Sequence, residues 1–164
     1  MWCFSGFYRN PNPSFRKASW DLLRRLRTVD SLPWVCGDFN ELLCINEKLG
    51  GLDKLAVGTF NFQAAVDDCN LIDLGFASPK FTWNNKRDVN ENIQERLDRF
   101  LANRQLCNYF STYKVQNLGY NFSDHRPIII YLLVRKIKSK RKERGVLNLS
   151  LFGSKMKNVP MWCN

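Results

Sequence analysis

Three compact polar clusters stand at the ends of apolar, strand-like runs of this chain, and that pairing limits the folds open to it. Gly37-Asp38-Phe39-Asn40 closes the short run Trp34 to Cys36, Asp98 lies in a stretch of period two, and Ser123-Asp124-His125 immediately precedes the apolar run Pro127 to Val134. Buried strands that deliver polar groups at their ends belong to α/β folds, which collect their sites there. From Arg96 to Ala102 the alternation puts Asp98, Phe100 and Ala102 on one face and Leu97, Arg99 and Leu101 on the other. A carboxylate thus shares a face with apolar groups. Taken singly, each cluster also has a purely structural explanation. G-D-x-N makes a good turn in which Gly tolerates positive φ, S-D-H makes an Asx-type turn, and Asp98 between Arg96 and Arg99 makes an ion pair.

The other segments alternate between helix and strand. The aromatic run Trp2 to Tyr8 reads as a strand stopped by Asn10-Pro11-Asn12-Pro13. Ser14 can cap a helix over Phe15 to Val29, whose apolar stripe holds Trp20, Leu23 and Leu26 while Arg16, Lys17, Arg24, Arg25 and Arg27 keep to other positions. Gly50-Gly51 marks a loop, and Thr59 is the expected N-cap of a helix through Phe60 to Val66. Leu71 to Leu74, Phe81 to Trp83 and Tyr113 to Leu118 read as strands, with Asn103 capping a short helix to Phe110. So many short, aromatic strands fit a layered α/β sandwich better than a helical bundle.

A length of 164 residues with 45% hydrophobic content suffices for one domain with a core. No apolar run approaches the ~20 residues that span a bilayer, and the N-terminal residues lack a signal-peptide pattern, so no membrane association and no secretion are expected. Six cysteines without a C-x-x-C pair read as free thiols in a reducing intracellular compartment, with the nucleus as the expected address. The net charge of +10 is uneven: residues 135–164 hold nine Lys or Arg against Glu143 alone. The expected domain therefore spans 1–134, followed by a basic tail over 135–164 that is disordered or a linker.

The ordered set Gly6-Phe7-Tyr8, Gly37 to Asn40, Phe81-Thr82-Trp83, Glu95 to Arg99 and Ser123-Asp124-His125 resembles the second half of the endonuclease/exonuclease/phosphatase superfamily. Ser19 to Leu23, Glu47-Lys48 with Gly50-Gly51, Asp73 to Phe76 and Leu97 to Ala102 resemble the version carried by plant LINE retrotransposons. The resemblance implies a four-layered α/β sandwich, two face-to-face β-sheets flanked by helices, N-terminally truncated here. It also implies Mg²⁺-dependent hydrolysis of a DNA phosphodiester that leaves a 3′-hydroxyl, with no small-molecule cofactor.

In that family pattern Asp38 is the acid that orients and deprotonates water, and Asn40 donates an amide hydrogen to the water or the phosphate. His125 binds a non-bridging oxygen, Asp98 is its carboxylate partner, and Tyr8 contacts the phosphate. Asp124 matches an acid near the metal, while Ser123, Phe81 and Trp83 are expected to contact DNA or phosphate. The family's principal metal ligands, an Asn and a Glu, lie upstream of the tyrosine segment, and neither Glu41 nor Glu47 matches them. The expectation is therefore a nuclease fragment that is inactive on its own. The alternative is a non-catalytic nucleic-acid-binding remnant that uses the basic tail and the arginine face of the first helix.

Overall fold

The computed structural model of the chain describes residues 4–10, 12, 15–28, 34–110, 112–135 and 144–151. In chain order these form β1 (Phe4–Tyr8), α1 (Arg16–Thr28), β2 (Trp34–Asp38), β3 (Lys48–Leu49), α2 (Ala56–Asp68), β4 (Leu71–Asp73), β5 (Trp83–Asn84), β6 (Gln94–Glu95), β7 (Asp98–Asn103), α3 (Arg104–Tyr109), β8 (Tyr113–Asn117), β9 (Ile128–Arg135) and β10 (Arg144–Leu151). The first sheet has the order β1-β2-β7-β4, the second β10-β9-β8, and a small third sheet β3-β6-β5. Among the described strands, β1 and β2 form the one parallel hydrogen-bonded pair.

Strand periodicity explains how the layers stack. Val35 and Leu101 point to one side of the first sheet, where they join Phe7, Phe39 and the helix residues Trp20, Leu23, Phe62 and Val66. Cys36, Phe100 and Ala102 point to the other side and meet Val115, Ile128, Ile130 and Leu132 of the second sheet. One sheet therefore sits between helices and a second sheet, as an α/β sandwich requires. The helix-side core is strongly aromatic: Phe62 stacks on Trp20 at 4.8 Å and on Phe39 at 5.0 Å, and Phe39 stacks on Phe7 at 5.1 Å. Leu106 of α3 and the following Phe110 complete the inter-sheet core. The Asn103 side chain accepts from Leu106 N at 2.9 Å, the N-cap expected for this helix.

One expectation changes. α2 starts at Ala56, so Thr59 lies inside the helix and no side chain of the preceding Leu55 caps it. The negative charge at this end comes instead from Glu41, whose carboxylate lies so close to Gly58 that a Cβ there would stand 2.5 Å from it. A partner distant in sequence leaves no local capping signal. Within the span read in sequence as a basic tail, β10 pairs with β9 from Arg144↔Arg135 to Leu151↔Ile128. The composition shift at 135 marks charge, whereas Val146, Leu147, Leu149 and Leu151 keep a strand-like pattern beyond it. Ser14 and residues 136–143 and 152–164 lie outside the described residues.

Behind the first sheet lies a buried ion network. Arg99, about 1% exposed, donates to Glu47 at 3.0 and 3.1 Å and to Asp73 at 3.0 Å, and Arg96 donates to Glu47 at 2.7 Å and to Asp73 at 2.7 and 2.8 Å. Two guanidinium and two carboxylate groups balance, and the Arg96 and Arg99 planes lie over Phe76 and Phe62 at 4.7 and 5.4 Å. Arg99→Met would leave both carboxylates short of a cation. It should lower the free energy of unfolding by about 3–5 kcal/mol in a urea titration.

Candidate active site

Register alone brings three of the site residues into a row. Tyr8 ends β1 opposite Asp38, which ends β2 opposite Asp98, the first residue of β7. Asp38 alternates with Cys36 and Asp98 with Phe100, so both carboxylates lie on the inter-sheet face. From the opposing sheet the loop leading into β9 supplies His125. The cluster thus forms at one end of the space between the sheets.

His125 Nδ1 lies 2.8 Å from Asp98 Oδ2, and Nε2 lies 4.0 Å from Asp38 Oδ2. The second gap is too long for a hydrogen bond, yet one oxygen atom about 2.8 Å from each group would fit there. Asn40 holds the Asp38 carboxylate from two sides: its backbone N–H donates to Oδ1 at 2.8 Å and its Nδ2 donates to Oδ2 at 3.0 Å. That clamp needs the left-handed backbone of Asn40, at φ 47°. Gly37 serves a different purpose from the positive φ expected of it. A Cβ there would lie 1.7 Å from the Phe7 carbonyl oxygen, so glycine is needed for β1 and β2 to approach.

Arg96 and Arg99, the sequence neighbours that offered Asp98 an ion pair, both turn to Glu47 and Asp73. Asp98 is left to the imidazole. Burial works against a charged His125, but the bond to Asp98 and the fields of Asp98, Asp38 and Asp124 outweigh it and raise its pKa above 6.5. Burial and then the neighbouring Asp98 push Asp38 up to about 6, with His125 and the Asn40 hydrogen bonds opposing. Above about pH 6 Asp38 is therefore anionic, and it faces an imidazole whose protonated form is favoured over that of a free histidine.

Two supporting residues were given no role of their own in the sequence reading. Thr82, fully buried, accepts at Oγ1 from the N–H groups of Leu97 and Asp98, both at 2.9 Å. Its N–H donates to Glu95 O at 2.9 Å and its carbonyl accepts from Arg126 N at 2.7 Å, so one residue fixes the chain entering Asp98 and the chain just after His125. Arg9, 1% exposed, donates through Nη1 to Phe39 O at 3.2 Å, to Asn40 O at 2.7 Å and to Glu41 at 3.2 Å. A single arginine beside a tyrosine gives no signal of this kind; only contacts some 30 residues away define it.

The remaining expected residues take varied positions. Asp124 Oδ2 accepts from Trp83 Nε1 at 2.9 Å, and although burial opposes it, this bond holds the carboxyl below the usual range. Trp83 also bridges to His125, and the Ser123 hydroxyl accepts from His125 N at 3.1 Å. Trp83 and Ser123 thus shape the loop that carries the histidine. Phe81 is half-buried, with Lys80 Nζ 5.6 Å from its ring centre. On α1, Arg16 reaches Glu41 at 3.7 Å, Arg24 binds Asp68 at 2.7 Å and Arg27 donates to Asp68 O. Much of that basic face therefore holds the two helices together.

Asp38, Asp98 and His125 each bring a ligand-type atom into a group no wider than 4.8 Å. The set fits Mg²⁺ poorly. Magnesium takes oxygen ligands in an octahedron, whereas one member here is a ring nitrogen and one Asp98 oxygen is already bonded to that ring. Among the described residues Glu41, Glu47 and Glu95 are paired with Arg9, with Arg96 and Arg99, and with Lys48 and Lys54 respectively.

The chain is an α/β sandwich with a carboxylate, an imidazole and a second carboxylate at one end of its sheets. The structure is similar to the endonuclease domain of TRAS1, a telomere-specific non-LTR retrotransposon, with a TM-score of 0.57 and 16% identity over 81% of this chain and 56% of that one. The likeness is one of fold, and the chain spans a little over half of that domain. No family model matches the sequence, and no curated protein does. Among the described residues no helix is long and apolar enough to cross a membrane.

Two measurements probe the electrostatics. Asp98→Asn removes the main support of the imidazolium, so an NMR titration of the His125 ring should give a pKa clearly below that of the parent. In the parent, the stabilising part of His125 is complete below its unfolded pKa near 6.5 and is lost as pH rises through the higher folded value. Asp38, raised from 3.8 to about 6, has the same sign: the native state loses about 3 kcal/mol as pH climbs across that window. Asp38→Asn should therefore stabilise the fold at pH 8 by about 1–3 kcal/mol and change it little at pH 4, read by denaturant unfolding at both pH values.

Proposed function

We propose that this chain carries part of the active site of a DNA endonuclease derived from a LINE-type retrotransposon of the plant kind, whose parent enzyme hydrolyses one phosphodiester and leaves a 3′-hydroxyl. The observation that supports this most is the facing pair of Asp38 and His125 across a 4.0 Å gap, with Asp98 behind the imidazole. DNA is the proposed substrate, in keeping with the fold shared with a retrotransposon endonuclease domain.

Each residue has a task suited to its state. Asp38, ionised above about pH 6 and held by Asn40, takes a proton from the attacking water. The oxygen of that water bonds to phosphorus as the bond from phosphorus to the 3′-oxygen breaks, in line. His125, charged through Asp98, donates from Nε2 to a non-bridging oxygen and offsets the negative charge that builds there. Tyr8 is proposed to contact the phosphate, a reading supported by its half-exposed position at the end of the same strand row. Asp124 orients the His125 loop through Trp83.

Mg²⁺ belongs to the proposal for the parent enzyme, yet the described residues do not assemble a fitting oxygen cage for it. The isolated chain is accordingly proposed to be nearly inactive. In a supercoiled-plasmid assay it should give only trace nicking that rises with magnesium concentration without saturating. Asp38→Ala and His125→Ala should each remove that trace. Nicking that is equal in parent and variants would count against the assignment.

A further inference from the structure

Phe122 is the most exposed aromatic side chain among the described residues, at 106% relative exposure. Burying a phenylalanine normally contributes about 1.5–3 kcal/mol, so folding gains nothing from this one. A fully solvated ring on a loose surface loop would be unremarkable. The loop that bears Phe122 is tied down on both sides.

On one side Leu118 N donates to Pro127 O at 2.9 Å, closing the base of the loop, and Arg126 Nη1 donates to Leu118 O at 2.9 Å. The Arg126 guanidinium also lies 3.8 Å from the Tyr120 ring centre, which fills the loop from within. On the other side Asn84 N donates to Asp124 O at 3.0 Å, Trp83 Nε1 to Asp124 Oδ2 at 2.9 Å, and His125 N to the Ser123 hydroxyl at 3.1 Å. A ring with no contacts of its own is thus displayed on a pre-organised support. It stands three residues before His125, so their Cα atoms are at most about 10 Å apart. Along one DNA strand that distance corresponds to about three base steps.

We infer that Phe122 is a wedge that enters the base stack of duplex DNA within about three steps of the phosphate held by His125. This rests on the proposed DNA-cleaving role of the same site and adds how the duplex is gripped there. Planar apolar side chains insert between base steps and unstack them, and a rigid loop does so without first paying to order itself. The neighbouring Asp38, Asp98 and Asp124 offer DNA no attraction, so stacking is the contact this rim can supply without charge.

The experiment uses the 164-residue chain and a duplex with 2-aminopurine placed at successive positions. Binding of the parent should raise 2-aminopurine fluorescence at one or two adjacent steps, as unstacking does. Phe122→Ala should abolish the rise and weaken binding about tenfold, and Phe122→Trp should restore both. Because the ring has no partners, unchanged thermal unfolding should show that the variants fold. Parent-like affinity and fluorescence in Phe122→Ala would overturn the wedge while leaving the nuclease assignment standing. An effect of Phe122→Ala on self-association alone would overturn it too, in favour of a contact between copies. If neither parent nor variants bind duplex DNA, the wedge and the assignment of the site fail together.

Discussion

Everything at the candidate site depends on where Arg96 and Arg99 spend their charge. Both flank Asp98 in sequence and both turn away from it to a buried cluster with Glu47 and Asp73. Were either to bind Asp98, the imidazole would lose its strongest partner and the protonated state with it. The buried network is also expensive to break, which makes the diversion of the arginines a stable property of the fold rather than one of several side-chain arrangements. Core structure and site chemistry meet in these four residues.

Much of this was legible in the sequence, for physical reasons that differ by element. Period-two patterning fixes which face Asp98 takes, and the short runs ending at Asp38 and beginning after His125 locate the sheet end where they gather. The cap at Asn103 follows from local chemistry and is found where expected. Features governed by distant partners were not legible. The acid beside the start of α2 is Glu41, fifteen or more positions upstream, and the Asn40 loop is braced by Arg9 from just past β1. Composition reports charge, whereas pairing along β9 and β10 reports backbone geometry, so the shift at 135 carried no information on that pairing.

The same contrast separates the residues with chemistry from those with support. Asp38, Asn40, Asp98 and His125 stand in short motifs that any reading would inspect. Trp83 and Ser123, expected at a DNA surface, hold the histidine loop through hydrogen bonds, and their part in shaping it is the one the contacts describe. The arginines of α1 suggested a nucleic-acid face in sequence, yet Arg16, Arg24 and Arg27 join α1 to Glu41 and Asp68. Charge patterns state what a surface is made of, and only geometry states what its charges are already bound to.

Thr82 carries a consequence for motion. Its hydroxyl accepts two amides at the entry to β7, while its carbonyl holds the chain just past His125 and its own N–H joins the small sheet. Fraying of that small sheet would therefore release the aspartate and the histidine in one event. The two halves of the dyad thus share one buried anchor, whose hydroxyl serves the aspartate strand and whose carbonyl serves the histidine loop.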